Sequence, residues 1–381
     1  MAGLSGYFDY AAATPVDDNV LKAMQPFFIE NFYNPSASYK PARDVRQAIE
    51  QARFDVAQIL GVKPAELVFT AGGTEANNLA IAGVMQTFPE GNLVISSIEH
   101  DSIRSPASNY KHKECPVNPK GIVDADNLLD LIDDQTVLVS VMYANNEIGS
   151  IQPIRKISHA LEKISAERKR KGNKLPLYFH TDAAQAANYL DLHAHRLGVD
   201  LMSLNGGKIY GPKQSGLLYV RGGIILRPQI TGGGQERKLR SGTENVPGII
   251  GLAEALKIAA GMQNEETVRM KQLQAFFMSE ISAKIPQAEF NGSLKNRLPN
   301  NVHITIPGQD NERLLILLDE QGICAAAGSA CSASHEEPSH VLRAIGLDDD
   351  QIHASIRFTM GKFTKKQDIS DLISHLASVL A

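Results

Sequence analysis

The stretch Asn205-Gly206-Gly207-Lys208-Ile209-Tyr210-Gly211-Pro212-Lys213 sets a lysine among glycines, directly after the apolar run Leu201-Met202-Ser203-Leu204. Glycines let the backbone approach a ligand closely, and a lysine at the end of a strand can form a Schiff base with a bound aldehyde. Upstream, Asp182 also follows a strand-like run, where its carboxylate could pair with the ring nitrogen of pyridoxal phosphate (PLP). An isolated lysine is usually a solvent-exposed loop residue, so this interpretation depends on the neighbouring motifs.

Short apolar runs alternate with helical segments through the first two-thirds of the chain. This alternation indicates an α/β fold with a mostly parallel central sheet covered by helices on both faces. Such sheets bind ligands beyond the carboxyl ends of their strands. The predicted helices include 76–85 and 154–169, and the predicted strands are 67–70, 93–96, 137–141, 177–180 and 201–204.

The chain changes character near Gly261. The elements predicted beyond it are a long amphipathic helix at 265–285, a strand at 302–306 and a helix at 312–321. We therefore predict a large domain of residues 15–260 and a smaller α/β domain formed by residues 1–14 plus 261–381, with the last range carrying a reactive cysteine loop.

The composition is that of an ordinary globular protein, with 381 residues of which 43% are hydrophobic and 21% charged. The net charge of −4 gives no electrostatic reason to expect nucleic acid or an anionic membrane as a partner. Three cysteines, an odd and sparse set, argue against a disulfide framework and for a reducing compartment. No apolar run has the length of a membrane span, and residues 1–15 lack the basic region of a signal peptide. We therefore expect a cytoplasmic protein.

Four further motifs fall at the ends of predicted strands. Ala71-Gly72-Gly73-Thr74-Glu75-Ala76 opens a helix whose free N–H groups and threonine hydroxyl suit a phosphate, although an ordinary helix cap has the same composition. Ile98-Glu99-His100 offers an imidazole that could stack on a cofactor ring or could be structural. Asn145-Asn146-Glu147-Ile148-Gly149 offers amides that could serve a turn or a cofactor hydroxyl. His180-Thr181-Asp182-Ala183-Ala184-Gln185 carries a carboxylate that needs a positively charged partner if it is buried.

Two small-residue segments complete the set. Residues 230–243, Ile-Thr-Gly-Gly-Gly-Gln-Glu-Arg-Lys-Leu-Arg-Ser-Gly-Thr, are either a second ligand-binding stretch or a flexible surface loop. Ala327-Gly328-Ser329-Ala330-Cys331-Ser332-Ala333-Ser334 has little to bury, so we expect a mobile loop with an accessible thiol, although most cysteines are buried and inert. The more apolar context of Cys324 suits that buried state better, and Cys115 lies in a loop-like region.

The motifs Gly-Gly-Thr-Glu-Ala, Glu-His, Asn-Asn-Glu-Ile-Gly, Thr-Asp-Ala-Ala-Gln, Gly-Lys-Ile-Tyr-Gly-Pro-Lys, Gly-Gly-Gly-Gln-Glu-Arg, Arg-Ser-Gly-Thr and Gly-Ser-Ala-Cys occur here in the order in which cysteine desulfurases carry them. The chain resembles the NifS/IscS branch of that PLP-dependent family, from Phe8-Asp9-Tyr10 to Ile356-Arg357-Phe358-Thr359. The resemblance implies a fold-type I PLP-dependent transferase fold and a homodimer. It also implies conversion of L-cysteine to L-alanine, with the sulfur captured as a protein persulfide and passed to an acceptor protein.

The resemblance also implies a role for each matching residue. Lys208 resembles the Schiff-base lysine, Cys331 the sulfur-accepting nucleophile and His100 the residue that stacks on the cofactor ring. No metal site is implied. The other implied contacts are Asp182 with the ring nitrogen, Asn146 and Gln185 with the phenolic oxygen region, Gly73, Thr74, Asn205 and the neighbouring subunit's Thr243 with the phosphate, and Arg357 and Asn34 with the substrate carboxylate.

One position departs from the pattern that the chain resembles. The family usually has a histidine where Gly207 stands, at a phosphate contact, so weaker cofactor binding is expected, partly offset by the amide of Asn205. Three alternatives remain open from sequence: a selenocysteine lyase or an aminotransferase of the same fold, neither of which needs Cys331, and a non-catalytic sulfur-relay subunit. The sulfur acceptor also remains open among an iron–sulfur scaffold, a tRNA thiolation enzyme and a DNA-modification partner.

Overall fold

The structure is a computed structural model that describes residues 5–328 and 338–380. Its strands are β1 (Leu67–Thr70), β2 (Asn92–Ser96), β3 (His112–Cys115), β4 (Thr136–Ser140), β5 (Tyr178–Asp182), β6 (Leu201–Asn205), β7 (Gly216–Val220), β8 (Glu289–Phe290), β9 (Asn301–Thr305) and β10 (Ser355–Thr359). Its α-helices are α1 (Asp18–Met24), α2 (Pro26–Ile29), α3 (Lys40–Leu60), α4 (Gly73–Thr87), α5 (Asp101–Ala107), α6 (Ala125–Asp130), α7 (Ile154–Arg170), α8 (Ala194–Leu197), α9 (Val246–Lys284), α10 (Asn311–Asp319), α11 (His340–Ala344), α12 (Asp349–His353) and α13 (Lys366–Leu380).

The large sheet has the strand order β1-β7-β6-β5-β4-β2-β3. Only β7 runs antiparallel to its neighbours, β1 and β6, and the remaining pairs are parallel. Apolar clusters cover both faces of the sheet, one including residues of α3, α7 and α9 and the other residues of α4 and α5. The predicted α/β fold with a mostly parallel central sheet is confirmed.

The smaller sheet is antiparallel and has the order β10-β9-β8. Its core includes side chains from α9, α10 and α13. The N-terminal segment joins this unit, because Phe8 is fully buried in the same core. The Phe8 N–H donates to Cys324 O at 2.8 Å, and the Thr359 N–H donates to Phe8 O at 2.7 Å. The segment therefore runs from the small sheet directly towards the cavity described below.

Helix α9 connects the two sheets without a break. The sequence predicted a helix at 265–285, whereas α9 begins at Val246, where Asn245 accepts a hydrogen bond from the Gly248 N–H. Gly261 lies inside the helix, with no atom within 4 Å of the place where a Cβ would be. The predicted boundary between 260 and 261 thus falls within a continuous helix, and the division into two domains stays a prediction.

Two cysteine predictions are wrong. Cys115 lies at the end of strand β3, not in a loop, and burial raises the pKa of its thiol to about 11. Cys324, expected to be buried, is exposed, and its backbone pairs with that of Tyr7 in an isolated bridge. Across residues 5–328 and 338–380, no helix has both the length and the apolar character needed to cross a membrane.

Candidate active site

The carboxyl ends of the parallel strands open into one cavity of about 170 Å³. Strand β5 ends at Asp182, β6 ends at Asn205, and β2 leads through a short turn to His100. Nine of the twelve site residues predicted from sequence line this cavity, as expected for a mostly parallel sheet. They are Gly73, Thr74, His100, Asn146, Asp182, Gln185, Asn205, Lys208 and Arg357.

Lys208 is held at the cavity by a single turn of 3₁₀ helix, Gly206–Lys208. The side-chain oxygen of Asn205 caps this turn by accepting the Gly207 N–H at 3.0 Å. A Cβ on Gly206 would overlap the hydroxyl of Ser215, so the turn requires glycine there. Lys208 Nζ donates to the carbonyl oxygen of Ala12 at 2.6 Å, which ties the lysine to the N-terminal segment.

Asp182 is 6% exposed and accepts hydrogen bonds from neutral donors. Its Oδ2 accepts from Asn77 Nδ2 at 2.7 Å, and its Oδ1 accepts from the Ala184 N–H at 2.9 Å. Both donors stabilise the ionised carboxylate without cancelling its charge. Sequence reasoning missed Asn77, and the available signal was a single amide on the otherwise apolar buried face of α4.

His100 forms the N-cap of α5. Its Nδ1 accepts the Ser102 N–H at 3.0 Å and lies 2.8 Å from Ser102 Oγ. With Nδ1 accepting, the proton of the neutral ring sits on Nε2. The preceding residue, Glu99, is fully buried, and this burial raises the pKa of its carboxyl to about 8. Ser102 was also missed from sequence.

The N-terminus of α4 forms the anion-binding end of the cavity. Gly72 has φ +137°, a conformation that favours glycine, and a Cβ on Gly73 would lie 3.3 Å from the Asn205 Cβ. These glycines therefore keep the free N–H groups of a 15-residue helix accessible. On this side lies a second, wider cavity of about 610 Å³, which Thr74, Lys208 and Ile230 help to line.

Arg357 reaches the cavity from β10, an outer strand of the small sheet. Its side chain is 1% exposed, and its Nη2 lies 2.6 Å from Asp9 Oδ1. Its Nη1 donates to Asn146 O at 3.1 Å, whereas its buried Nε has no hydrogen-bond partner among the described residues. A buried guanidinium with an unused N–H can accept a carboxylate. No local sequence pattern indicated the contact between Arg357 and Asp9.

Two predicted site residues, Asn34 and Thr243, do not line the cavity. Asn34 is exposed, and its side chain accepts the Ser36 N–H at 2.9 Å. Thr243 lies exposed on the surface of the protomer. Cys331 lies outside the described residues. Within residues 5–328 and 338–380, no group of three or more His, Cys, Asp or Glu side chains could hold a metal ion.

The donor set fits PLP. The N-terminus of α4 offers free helix N–H groups, Lys208 lines the cavity, and the buried Asp182 carboxylate accepts hydrogen bonds from two neutral donors. A pyridinium N–H would give this carboxylate a cationic partner. The fold and this cavity define the class, which is that of fold-type I PLP-dependent enzymes.

Comparison with known proteins defines the family. The family described as Aminotransferase class-V matches residues 6–372. The cysteine desulfurase IscS of Dictyoglomus turgidum is 40% identical, over 98% of this chain and 94% of that protein. Among solved structures, a NifS-like protein superposes with a TM-score of 0.90 at 33% identity, covering 98% of each chain. SspA in complex with cysteine gives a TM-score of 0.81 at 33% identity, over 94% of this chain and 100% of that one. The chain belongs to the class V aminotransferase family, and PLP is its cofactor.

Proposed function

We propose that this protein is a cysteine desulfurase that converts L-cysteine to L-alanine and captures the sulfur as a persulfide on Cys331. The observation that carries the proposal is the grouping of nine predicted residues around Lys208 and Asp182 in one cavity. The relative from Dictyoglomus turgidum is a cysteine desulfurase, and SspA has been solved with cysteine, which supports the same substrate here.

The cofactor would be held by the residues at the strand ends. Gly73, Thr74 and Asn205 would hold the phosphate, and Asn146 and Gln185 would contact the phenolic oxygen region. Asp182 would contact the ring nitrogen, and His100 would stack on the face of the ring. Lys208 would hold the cofactor through its aldehyde. With the substrate amine bound, PLP would supply an electron sink for negative charge at the substrate Cα.

Substrate binding is assigned to Arg357, with Asn34 as a second contact that the protomer alone leaves exposed. The guanidinium is fixed between Asp9 and the carbonyl of Asn146, so its free Nε–H has one orientation. A fixed donor lowers the entropy cost of orienting the substrate. The amine of Lys208, when it is not bonded to the cofactor, would remove the Cα proton of the substrate and later return it.

The sulfur step is assigned to Cys331. Its thiolate attacks the substrate Sγ, an S–S bond forms on the enzyme, and the substrate Cβ–Sγ bond breaks with its electron pair going to Cβ. Two protons complete the product, so that one thiol plus L-cysteine gives one persulfide plus L-alanine. The thiolate is needed because the neutral thiol is a poor nucleophile. Cys115 is unsuited, since burial raises its pKa to about 11.

We further propose that the active form is a homodimer in which Thr243 completes the phosphate site of the neighbouring subunit. Thr243 is exposed in the protomer. The cavity of about 610 Å³ on the phosphate side of the site has room for a residue from a neighbouring subunit. An apolar patch formed by α1, α2 and the loop after them is also uncovered; its members are Leu21, Phe28, Ile29, Phe32 and Tyr39. Patches of this kind commonly mark a protein interface.

The persulfide would be passed to an acceptor protein in a reducing, cytoplasmic setting. The three cysteines, sparse and odd in number, support a reducing compartment. An iron–sulfur scaffold, a tRNA thiolation enzyme and a DNA-modification partner all have the required chemistry. Incubation of the persulfide form with each class of acceptor, followed by measurement of sulfur transfer, distinguishes them.

The proposed function is tested by assaying alanine and sulfide after incubation with PLP, L-cysteine and a thiol reductant, which releases the persulfide sulfur as sulfide. A desulfurase releases both, an aminotransferase releases a keto acid, and a sulfur-relay subunit releases neither. L-selenocysteine as a competing substrate tests the lyase alternative. Lys208→Ala should abolish alanine formation and the covalent cofactor link, and borohydride reduction of the parent should leave the pyridoxyl group on Lys208. A pyridoxyl group on Lys213 would contradict the assignment.

A further inference from the structure

Asn77 is a buried amide that no role proposed above uses. It lies one helical turn after Gly73 on α4, so it faces the same cavity. Its side chain is 1% exposed, and the two N–H groups on its Nδ2 go to different partners. One donates to Asp182 Oδ2 at 2.7 Å and the other to Ser102 Oγ at 2.8 Å.

The orientation of this amide is dictated by its neighbours. An ionised Asp182 can only accept hydrogen bonds, so the amide must present Nδ2 to it. This leaves Asn77 Oδ1 buried without a hydrogen-bond partner among the described residues. An unpaired buried carbonyl is unfavourable, and an apolar side chain of the same size would avoid it. The role of the Asn77 amide is therefore carried by its two donated hydrogen bonds, to Asp182 and to Ser102.

Ser102 extends the same chain of contacts to His100. Because Ser102 Oγ accepts from Asn77, its own proton is available for His100 Nδ1 at 2.8 Å. The backbone N–H of Ser102 reaches the same nitrogen at 3.0 Å. The imidazole is thereby kept as an acceptor at Nδ1, with its proton on Nε2. Asp182 and His100 are thus joined through one amide and one hydroxyl.

We propose that Asn77 is a positioning residue that couples the ring-nitrogen partner Asp182 to the ring-facing residue His100. The inference rests on the proposed roles of those two residues. A neutral donor holds the carboxylate in place and leaves its full charge for the pyridine nitrogen. The same amide fixes the Ser102 hydroxyl, which reaches His100 Nδ1 beside the backbone N–H. Loss of Asn77 should therefore disturb both contacts together, whereas loss of Ser102 should disturb only the histidine.

The first test compares PLP with an analogue that has carbon in place of the ring nitrogen. In Asn77→Leu we expect PLP to be lost on dialysis at least about tenfold faster than from the parent, because a hydrogen bond to a charged group is removed. The loss of the analogue, which offers Asp182 no N–H, should change less than about threefold on the same reasoning. A merely structural role would weaken both ligands equally. Asn77→Ala removes the same bonds and serves if the leucine variant does not fold.

The second test needs no cofactor. In apo-protein labelled with ¹⁵N-histidine, all three proteins should keep the Nε2–H tautomer, because the Ser102 N–H still donates to Nδ1. The Nδ1 resonance of His100 should shift in Asn77→Leu and Ser102→Ala, where the hydroxyl donor is misplaced or removed. Ser102→Ala should keep the parent's preference for PLP over the analogue. The matched control is Asn92→Leu, which removes a buried amide bonded to the Asp133 carboxylate outside the cavity. It should change neither readout.

The outcomes separate this inference from the proposed function. A parent that retains PLP and the analogue equally would contradict the proposed role of Asp182 itself. A parent that distinguishes them, with an Asn77→Leu variant that distinguishes them just as well, would overturn the coupling. An unchanged His100 Nδ1 resonance in Asn77→Leu would overturn it independently of any cofactor.

Discussion

Gly207 is the residue at which the site departs from the family that it resembles, and the structure leaves room for a side chain there. A Cβ would lie 3.5 Å from Asn205 Oδ1 and 3.8 Å from Lys213 Cγ, both ordinary contact distances. The backbone at this position therefore does not require glycine for space. The missing histidine removes one side-chain hydrogen-bond donor to the phosphate, so we expect a lower affinity for the cofactor.

Gly207→His should hold PLP more tightly than the parent. A hydrogen bond to a charged phosphate is worth about 1.5–3 kcal/mol, which corresponds to roughly tenfold or more slower loss of PLP. The measurement is the fraction of cofactor retained during dialysis. Gly207→Ala, which adds the Cβ without a donor, is the control and should resemble the parent. Equal retention of PLP by all three proteins would contradict this explanation.

The buried carboxyl of Glu99 leads to a second prediction at the residue scale. Its Oε1 accepts from Ser96 Oγ at 2.5 Å and from the Met142 N–H at 2.6 Å, and its burial raises the pKa to about 8. The folded carboxyl therefore binds its proton more tightly than the unfolded one. It follows that this group makes the parent less stable as the pH rises from about 4.5 to about 8.

Glu99→Gln keeps both accepted hydrogen bonds and cannot titrate. The stability of the variant relative to the parent should therefore grow between pH 5 and pH 8, by several kcal/mol at most and on the order of 1 kcal/mol per pH unit. Urea unfolding midpoints of the apo-proteins across that range provide the measurement. A difference between the two proteins that does not depend on pH would show that Glu99 is ionised in the folded state.

At the scale of elements, the apolar strands and long helices were predictable and the polar or unusual ones were not. Strand β4 is buried throughout and β6 is buried up to its last residue, so their apolar runs stood out in the sequence. Strand β3 is a partly exposed edge strand, His-Lys-Glu-Cys, that carries no such run. Strand β7 follows β6 with no α-helix between them, so the alternation of strands and helices did not reveal it.

The same distinction applies to the site. Side chains directly at the ends of strands, such as Asp182 and Asn205, could be predicted because parallel strands end at one edge. Some of the side chains that hold site residues in place come from distant parts of the chain. Asn77 is 105 positions away from Asp182, and Asp9 is 348 positions away from Arg357. No local pattern reveals such pairs.

Helix α9 provides a prediction at this scale. Gly261 lies inside the helix, is exposed and has open space around its Cα. Gly261→Ala should stabilise the protein by about 0.5–1 kcal/mol, since alanine loses less backbone entropy in a helix. Gly251→Ala is the matched control in the same helix, where a Cβ would lie 2.6 Å from Met24 Sδ, and it should destabilise. Urea unfolding measures both, and a destabilising Gly261→Ala would contradict a continuous helix.

At the scale of the whole molecule, the proposed homodimer can be tested through its apolar patch. Ile29 is 74% exposed on α2, and Phe32 and Tyr33 stack beside it with ring centroids 4.5 Å apart. Ile29→Asp should weaken dimerisation at least tenfold, because a charge in a buried interface loses its hydration. It should also speed the loss of PLP, because Thr243 can no longer reach the neighbouring site.

Ile316→Asp is the control for this prediction, since Ile316 is similarly exposed on α10 of the small domain. Sedimentation velocity and PLP retention should both match the parent. A monomeric parent that keeps its PLP, or an Ile29→Asp variant that stays dimeric with normal retention, would contradict the proposed assembly.

The central claim concerns the destination of the sulfur, and mass spectrometry of the protein after L-cysteine tests it most directly. The parent should gain one sulfur atom, located on the peptide that carries Cys331, while Cys331→Ala should bind PLP normally and gain none. Cys324→Ala and Cys115→Ala should behave like the parent, since neither residue lines the cavity. A persulfide on Cys324, or undiminished alanine release by Cys331→Ala, would contradict the claim.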